Sequence, residues 1–162
     1  SGTPRISAPS PAAAGRWRHA VAALAADPDV HEAILSGGDP LSLGNARLGA
    51  LVGELESLPQ LRRLRIHTRQ PVVLPERVDA GLLALLGGTR LKVVVVIHAN
   101  HAAEIDGAVE RALGALAARG ALLLNQSVLL AGVNDSAEAL ADLSERLGAA
   151  GVLPYYLHLL DR

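Results

Sequence analysis

The sequence predicts a single α/β domain built on a parallel sheet, either doubly wound or curved as part of a barrel. About five short apolar runs alternate with segments whose apolar residues recur at helical spacing, and the links are short and rich in Gly or Pro. This alternation is typical of β-α-β units, in which each helix returns the chain to start the next parallel strand. Half of the 162 residues are hydrophobic, which is enough for one core.

The first segment, residues 1–14, is rich in Pro, Ser and Ala and shows no periodicity. We expect a poorly ordered tail there, followed by one domain over residues 15–162. Apolar spacing predicts a helix over 16–26. That helix ends before Pro28, because a proline disfavours helical backbone in the residue that precedes it.

Five apolar runs have the composition of buried strands, and helical periodicity fills the segments between them. The clearest run contains four consecutive valines, which pack well on both faces of a parallel sheet. The predicted strands are 33–36, 61–67, 91–97, 121–130 and 152–160. The predicted helices between them, which end at glycine or proline, are 45–58, 76–86, 102–119 and 135–149.

Composition excludes several classes of protein. The chain has 15 Lys and Arg against 16 Asp and Glu, so it has no basic excess to attract nucleic acid. No apolar run is long enough to cross a bilayer and no segment resembles a signal peptide, so we expect a cytoplasmic protein. The sequence has no Cys, so this chain offers no thiolate to a metal. The single lysine is Lys92.

In parallel α/β folds, functional residues follow the carboxyl ends of the strands. After the first predicted strand come Gly37, Gly38 and Asp39. The glycines let a ligand approach the backbone, and Asp39 is able to accept a hydrogen bond from a ligand amine. An equally good interpretation is a tight turn in which Asp39 caps the segment that follows.

Two further strand ends carry basic side chains. Arg69 is suited to a two-point contact with a carboxylate or phosphate, although a solvated arginine is the commoner outcome in a loop. His98, His101 and Glu104 follow the valine strand. We favour hydrogen bonds to a ligand or to the backbone over a metal site, because two loop histidines three residues apart have no imposed geometry.

The last two strands also carry polar residues. The triplet Asn-Gln-Ser at 125–127 interrupts an apolar strand, and this is costly unless neighbours or a bound ligand satisfy the polar groups. In the last strand Tyr156 and His158 share one face, and Asp161 follows its carboxyl end. We expect a structural role for the tyrosines. The residues together predict a polar pocket without a complete catalytic set.

Five ordered segments resemble the lysine 2,3-aminomutase family of radical S-adenosylmethionine enzymes. The resemblance extends from about Arg16 to the end of the chain. RIHTR and PYYLHLLD are most similar to the branch that makes β-lysine for the modification of elongation factor P. The five segments are HEAILSGGDPL (31–41), LRIHTRQPVVLPERV (64–78), HANHAAEID (98–106), LLNQSVLLAGVND (123–135) and GVLPYYLHLLD (151–161).

The resemblance implies a partial β/α barrel and an isomerase that converts L-α-lysine to β-lysine. It also implies three cofactors. S-adenosylmethionine is reduced by a [4Fe-4S] cluster to give a radical, and pyridoxal phosphate holds the lysine substrate. The residues that fall on S-adenosylmethionine-binding positions are Gly37, Gly38 and Asp39, at the methionine amino group, and His98 and Gln126, elsewhere on the cofactor. Asp161 falls on the carboxylate expected to hold an ammonium group of lysine.

The chain departs from the family at three points. The family's CxxxCxxC motif would precede the helix that begins near Arg16, where this chain has no cysteine. The lysine that binds pyridoxal phosphate would lie beyond Arg162, and the arginines that grip this cofactor would mostly precede the first residue. Lys92 opens the valine strand, away from the carboxyl ends. We therefore expect the middle fragment of such an enzyme, inactive alone but with part of the S-adenosylmethionine pocket.

Two other functions remain open. The chain could be a non-catalytic barrel remnant that acts as a structural or interaction module. Because an incomplete barrel exposes unpaired strand edges, we also expect self-association. A metal-free barrel enzyme such as an aldolase would need a lysine at the carboxyl end of a strand, where Lys92 is not. The expected partner is a small molecule, lysine, and not a nucleic acid or a membrane.

Overall fold

The computed structural model describes residues 5–7 and 16–159, which form an α/β fold around one parallel sheet. Within these residues the sheet has six strands in the order of the sequence, and each pairs in parallel with the next. The strands are β1 (Arg5–Ser7), β2 (Glu32–Ser36), β3 (Arg63–Thr68), β4 (Lys92–His98), β5 (Leu122–Val128) and β6 (Leu153–His158).

Helices connect the strands. The α-helices are α1 (Arg16–Ala26), α2 (Asn45–Glu56), α3 (Gln70–Val73), α4 (Ala80–Gly88), α5 (Gly107–Ala118) and α6 (Ala137–Ala149). Short 3-10 helices span Pro40–Ser42, Pro75–Arg77 and Ala102–Glu104. No helix in the described parts of the chain is both long enough and apolar enough to cross a bilayer.

The predicted alternation of strands and helices is confirmed. All five predicted strands are present, and their ends differ from the prediction by at most two residues. The sequence does not predict β1, which lies in the segment expected to be a tail. The rest of that tail lies outside the described residues, and so does Asp161.

Two predicted helices are wrong at their amino ends. The helix predicted over 102–119 is a 3-10 helix followed by α5, because the Asp106 side chain accepts a hydrogen bond from the Val109 N–H at 2.9 Å and starts a new helix. The helix predicted over 76–86 begins later, because Asp79 caps α4 through the Leu82 N–H at 2.7 Å. In both cases the capping aspartate fixes the first turn.

The sheet has one face packed against the helices and one face that is more polar. The main core joins alternate strand residues, such as Leu64 and Val95, to the buried sides of the helices. The other face of β3 to β5, which we call the concave face, carries residues that the strand register places side by side. These are Arg65, His67, Val94, Val96, His98, Leu124 and Gln126.

The sheet is curved. On the concave face the Arg65 guanidinium donates a hydrogen bond of 3.3 Å to the Tyr155 hydroxyl, although two strands lie between β3 and β6. Side chains stand roughly perpendicular to a sheet, so this contact requires the face to be hollow. The structure is therefore consistent with the partial barrel expected from the sequence.

Candidate functional site

Polar side chains lie together at the carboxyl ends of β2 to β5, as the parallel topology predicts. We call this edge the rim, meaning residues 37–39, 68–69, 98–100 and 126. The register pairs His98 with Gln126 and Gln126 with Tyr156, so these three side chains form a row across three strands. Asp39 accepts hydrogen bonds from Thr68 and from the Arg69 N–H at the carboxyl end of β3, which pairs with the strand that carries His98. Asp39 and Gln126 therefore belong to the same edge of the sheet.

The glycine turn after β2 has a backbone that only glycine adopts readily. Gly37 has φ of 78° and Gly38 has φ of 52°, both in the left-handed region. The Asp39 side chain then accepts a hydrogen bond from the Leu41 N–H at 3.0 Å and caps the 3-10 helix Pro40–Ser42. The cap interpretation of Asp39 is thus confirmed.

Asp39 also ties the glycine turn to the end of β3. Its Oδ1 accepts a hydrogen bond from the Thr68 hydroxyl at 2.6 Å, and its Oδ2 accepts one from the Arg69 N–H at 2.6 Å. A carboxylate has about four acceptor positions. Three are filled by these contacts, so Oδ2 retains room for one further donor.

Arg77 supports the segment that follows this turn. Its Nε donates to the Leu41 carbonyl at 2.6 Å and its Nη2 to the Leu43 carbonyl at 2.9 Å. The guanidinium also pairs with Asp79 at 3.6 Å. Sequence reasoning missed this role, because the contact joins segments more than thirty residues apart and no local pattern predicts it.

Most of the polar triplet 125–127 is structural. Asn125 accepts a hydrogen bond from the Ala99 N–H at 2.9 Å and donates to the Ala99 carbonyl at 3.0 Å. The Ser127 hydroxyl donates to the same carbonyl at 2.7 Å. These two side chains face the helices and hold the segment after β4. Gln126 points the other way, and its amide makes no hydrogen bond to any described residue.

A second asparagine, Asn134, completes the support and was not predicted. It is fully buried. Its Nδ2 donates to the Asn100 carbonyl at 2.8 Å and to the Val128 carbonyl at 3.0 Å, and its Oδ1 accepts from the Leu130 N–H at 2.7 Å. Asn100 in turn accepts from the Val128 N–H at 2.8 Å. The ends of β4 and β5 are therefore fixed relative to each other.

A cavity of about 70 Å³ opens at this rim. Its lining residues are Arg69, Val73, His98, Asn100, Glu104, Gln126 and Val128. The Nε2 atom of His98 is buried and has no hydrogen-bond partner, which is rare for a native polar atom. An unsatisfied polar side chain at the rim makes His98 a candidate for contact with a ligand.

The environment of His98 favours its neutral form. Burial lowers the pKa of His98 from its ordinary value of 6.5, and the positive charge of Arg69 lowers it further, with a smaller contribution from His158. Asp39 acts in the opposite direction. A neutral imidazole has one ring nitrogen that donates and one that accepts, so His98 is able to offer either to a ligand.

The residues that follow His98 form a cap. The His101 ring accepts a hydrogen bond from the Ala103 N–H at 3.1 Å, and Glu104 Oε2 accepts from the N–H groups of Asn100 and His101 at 2.6 and 2.9 Å. His101 and Glu104 thus start the 3-10 helix Ala102–Glu104. Within the described residues no group of three His, Cys, Asp or Glu side chains is placed to hold a metal ion.

Comparison with known proteins identifies the relatives of this chain. No known family profile matches it. It is 50% identical over 146 residues to the L-lysine 2,3-aminomutase of Haemophilus influenzae and 46% identical over 146 residues to that of Escherichia coli, and each alignment covers 90% of this chain and 43% of the relative. The enzyme of the same name from Buchnera aphidicola is 46% identical over 134 residues, covering 83% of this chain and 39% of the relative. This chain is similar to part of the L-lysine 2,3-aminomutases. It spans less than half the length of these relatives, which are isomerases by name.

The residues of this chain do not fit two of the cofactors that the resemblance implies. The chain has no cysteine and so provides no thiolate for a [4Fe-4S] cluster. Lys92 is exposed at the amino end of β4, opposite the rim, so it does not fit a pyridoxal phosphate site. The unpartnered Nε2 of His98, the free amide of Gln126 and the open position on Asp39 do fit a polar ligand at the rim.

Proposed function

We propose that this chain is the part of an L-lysine 2,3-aminomutase that contributes the S-adenosylmethionine-binding rim. The parent enzyme would convert L-α-lysine to β-lysine. The observation that carries the proposal is the buried, unpartnered Nε2 of His98 beside the free amide of Gln126, at the rim of a chain 46 to 50% identical to enzymes of that name. Assignment to the elongation factor P branch stays a prediction.

The rim residues have distinct roles in this proposal. The left-handed turn at Gly37 and Gly38 leaves backbone groups without a Cβ over them, so a ligand can approach closely. The open acceptor position on Asp39 Oδ2 suits the ammonium group of the methionine moiety. His98 and Gln126 supply a ring nitrogen and an amide to the nucleoside part.

Bound S-adenosylmethionine would supply the adenosyl group from which the family's radical chemistry starts. This chain lacks the thiolates needed for that reduction, so we expect binding without turnover. Asp161 remains our proposed partner for an ammonium group of lysine, because one full charge facing another in a partly dry site gives selectivity.

Isothermal titration of the 162-residue chain with S-adenosylmethionine tests the proposal. We expect weak binding that falls at least about tenfold in His98→Ala and in Gln126→Ala. His19→Ala is the matched control, because His19 is exposed on α1, and it should bind like the parent chain. Absence of binding by a sample that circular dichroism shows to be folded would overturn the proposal.

One observation favours the second candidate, an interaction module. Along β6, Leu153, Tyr156 and Leu157 are about half exposed, and Leu159 is 70% exposed. Exposed apolar side chains on an edge strand are suited to pairing with another chain. Analytical ultracentrifugation distinguishes the two candidates. A dimer whose affinity is unchanged in Asp39→Ala and Gln126→Ala, in a chain that binds no nucleoside, would support the module.

A further inference from the structure

We propose that Asn134 is a positioning residue for the rim: it bridges the ends of β4 and β5 where their backbone ladder stops, and so maintains the cavity in which His98 and Gln126 contact a ligand. This inference rests on the proposed function and deepens it, because it names a residue outside the cavity on which binding at that site depends. Asn134 is not a lining residue of the cavity, so its effect on a ligand passes through the two strand ends.

The backbone ladder between β4 and β5 ends at the pair His98 and Gln126. One step further along, a parallel ladder would direct the Val128 N–H to the Ala99 carbonyl. Instead the Val128 N–H donates to Asn100 Oδ1 at 2.8 Å, and the Ala99 carbonyl accepts from two side chains of β5 at 2.7 and 3.0 Å. Side chains thus replace the backbone bonds that would hold the two strands at ladder distance.

Asn134 forms the central part of this bridge. Its Nδ2 donates to the Asn100 carbonyl, after β4, at 2.8 Å and to the Val128 carbonyl, at the end of β5, at 3.0 Å. Its Oδ1 accepts from the Leu130 N–H at 2.7 Å. The side chain is fully buried, so water does not compete for these bonds. One short side chain therefore sets the separation of the two strand ends.

The cavity lies where the ladder stops. His98 and Asn100 line it from the end of β4, and Gln126 and Val128 line it from β5. Asn134 bonds to the backbone of one residue from each pair. A substitution of Asn134 therefore moves the walls of the cavity without removing any of the side chains that form them.

The bonding pattern requires an amide at this position. Both hydrogens on Nδ2 are used, and Oδ1 accepts one further bond. An ionised aspartate has the same size but only accepts hydrogen bonds, so Asn134→Asp would place a buried negative charge against two carbonyls. A serine is shorter and donates a single bond, so Asn134→Ser removes only part of the bridge.

Titration of the 162-residue chain with S-adenosylmethionine tests the proposal, at a temperature at which circular dichroism shows each variant to be folded. We expect binding to be at least about tenfold weaker in Asn134→Asp and about threefold weaker in Asn134→Ser. The graded loss follows from the number of bridging bonds that each variant retains.

Leu55→Ala is the control for a general loss of stability. Leu55 is fully buried in the last turn of α2, and truncation of a buried leucine destabilises a fold by leaving a void. This turn lies at the opposite end of the sheet from the rim, since the neighbouring Glu56 bonds to Arg90 just before β4. Leu55→Ala should therefore unfold more easily but bind S-adenosylmethionine within about twofold of the parent chain.

A second readout needs no ligand. Burial lowers the pKa of His98, and the charged groups that face its ring are Arg69 and His158, which lower the pKa further, and Asp39, which raises it. If Asn134→Ser loosens the end of β4, the ring becomes more exposed, and its NMR titration should move toward the ordinary value of 6.5. Leu55→Ala should leave that titration unchanged. An unchanged titration in Asn134→Ser would overturn the positioning role.

The outcomes separate this inference from the proposed function. If the parent chain binds and the folded Asn134 variants bind equally well, or if Leu55→Ala loses as much affinity, the positioning role is overturned and the proposed function stands. If neither Asn134 variant folds, Asn134 maintains the fold as a whole, and the positioning role is again overturned. If the folded parent chain binds no S-adenosylmethionine, the proposed function fails, and the His98 titration alone decides the role of Asn134.

Discussion

The guanidinium of Arg65 lies 5.6 Å from the ring centroid of Tyr155 and donates a hydrogen bond of 3.3 Å to its hydroxyl, across the concave face. Three strand spacings separate β3 from β6, which is about 14 Å in a flat sheet. The second Arg65 amino group pairs with Glu32 on β2 at 3.2 Å. One side chain thus links three strands and holds the curvature of the sheet.

Arg65 and Tyr155 should therefore be energetically coupled. In a double-mutant cycle of Arg65→Met and Tyr155→Phe, we expect a coupling of about 0.5 to 1 kcal/mol, small because Tyr155 is partly exposed. Urea unfolding measures it. Arg63→Met is the control, since Arg63 shares Glu32 but does not touch Tyr155. If the effects of the two substitutions are additive, the contact between Arg65 and Tyr155 contributes nothing to the free energy of unfolding.

Two adjacent residues of β5 should have opposite consequences. Asn125→Ala should lower the free energy of unfolding by about 2 to 3 kcal/mol, because it leaves the buried Ala99 N–H without a partner. Gln126→Ala should change it by less than about 0.5 kcal/mol, since its amide bonds to no described residue, but it should weaken ligand binding. Chemical denaturation and titration calorimetry separate the two effects. Equal destabilisation by both would mean that Gln126 is also structural.

The glycine turn should be sensitive to a side chain. Gly37→Ala should destabilise the fold by about 1 to 2 kcal/mol, because φ of 78° brings a Cβ too close to the following carbonyl. Gly53 lies inside α2 with open space where a Cβ would be, so Gly53→Ala should stabilise the chain by up to about 1 kcal/mol. Thermal unfolding of both variants measures this contrast. A neutral Gly37→Ala would contradict the assigned turn.

Acid stability should depend on Glu56. The Thr89 hydroxyl and the Arg90 N–H donate to its Oε1 at 2.5 and 2.8 Å, and these bonds hold the pKa of Glu56 below its ordinary value of 4.5. A carboxyl whose pKa is lower in the folded state contributes stability above the unfolded pKa, and that contribution is lost as the pH falls through the folded value.

Glu56→Gln should therefore flatten the loss of stability between about pH 5 and pH 3. Urea midpoints measured across this range provide the comparison. Glu54→Gln is the control, because Glu54 lies in the same helix and its carboxylate bonds to no described residue. If the urea midpoint of Glu56→Gln falls with pH as steeply as that of the parent chain, the Thr89 and Arg90 contacts do not stabilise the fold in solution.

The sequence predicts the strands and the rim well, because both depend on local patterns. The valines of β4 and the alternating residues of β3 show which face is buried, and parallel strands bring Asp39, His98 and Gln126 to one edge. It fails on β1, since three residues between Pro-rich and Ser-rich segments carry too little periodicity to indicate a strand.

The contacts that shape the site could not be predicted, because they join distant segments. Asp39 bonds to Thr68 and Arg69 about thirty residues away, and Asn134 reaches back to Asn100. The residues next to Asp39 in the sequence show that it is able to cap a turn. They do not show that it also bonds to the end of β3. The direction of Gln126 into the cavity follows only once the register of β5 is known.

The sequential order of the sheet has a consequence for how the chain acquires its structure. Because every strand pairs only with strands adjacent to it in the sequence, the sheet is able to grow from its amino-terminal side as the polypeptide leaves the ribosome. Each new β/α unit then adds to an already formed template, without waiting for a distant segment. The Arg65 to Tyr155 bridge is the exception, so it should form last and complete the assembly.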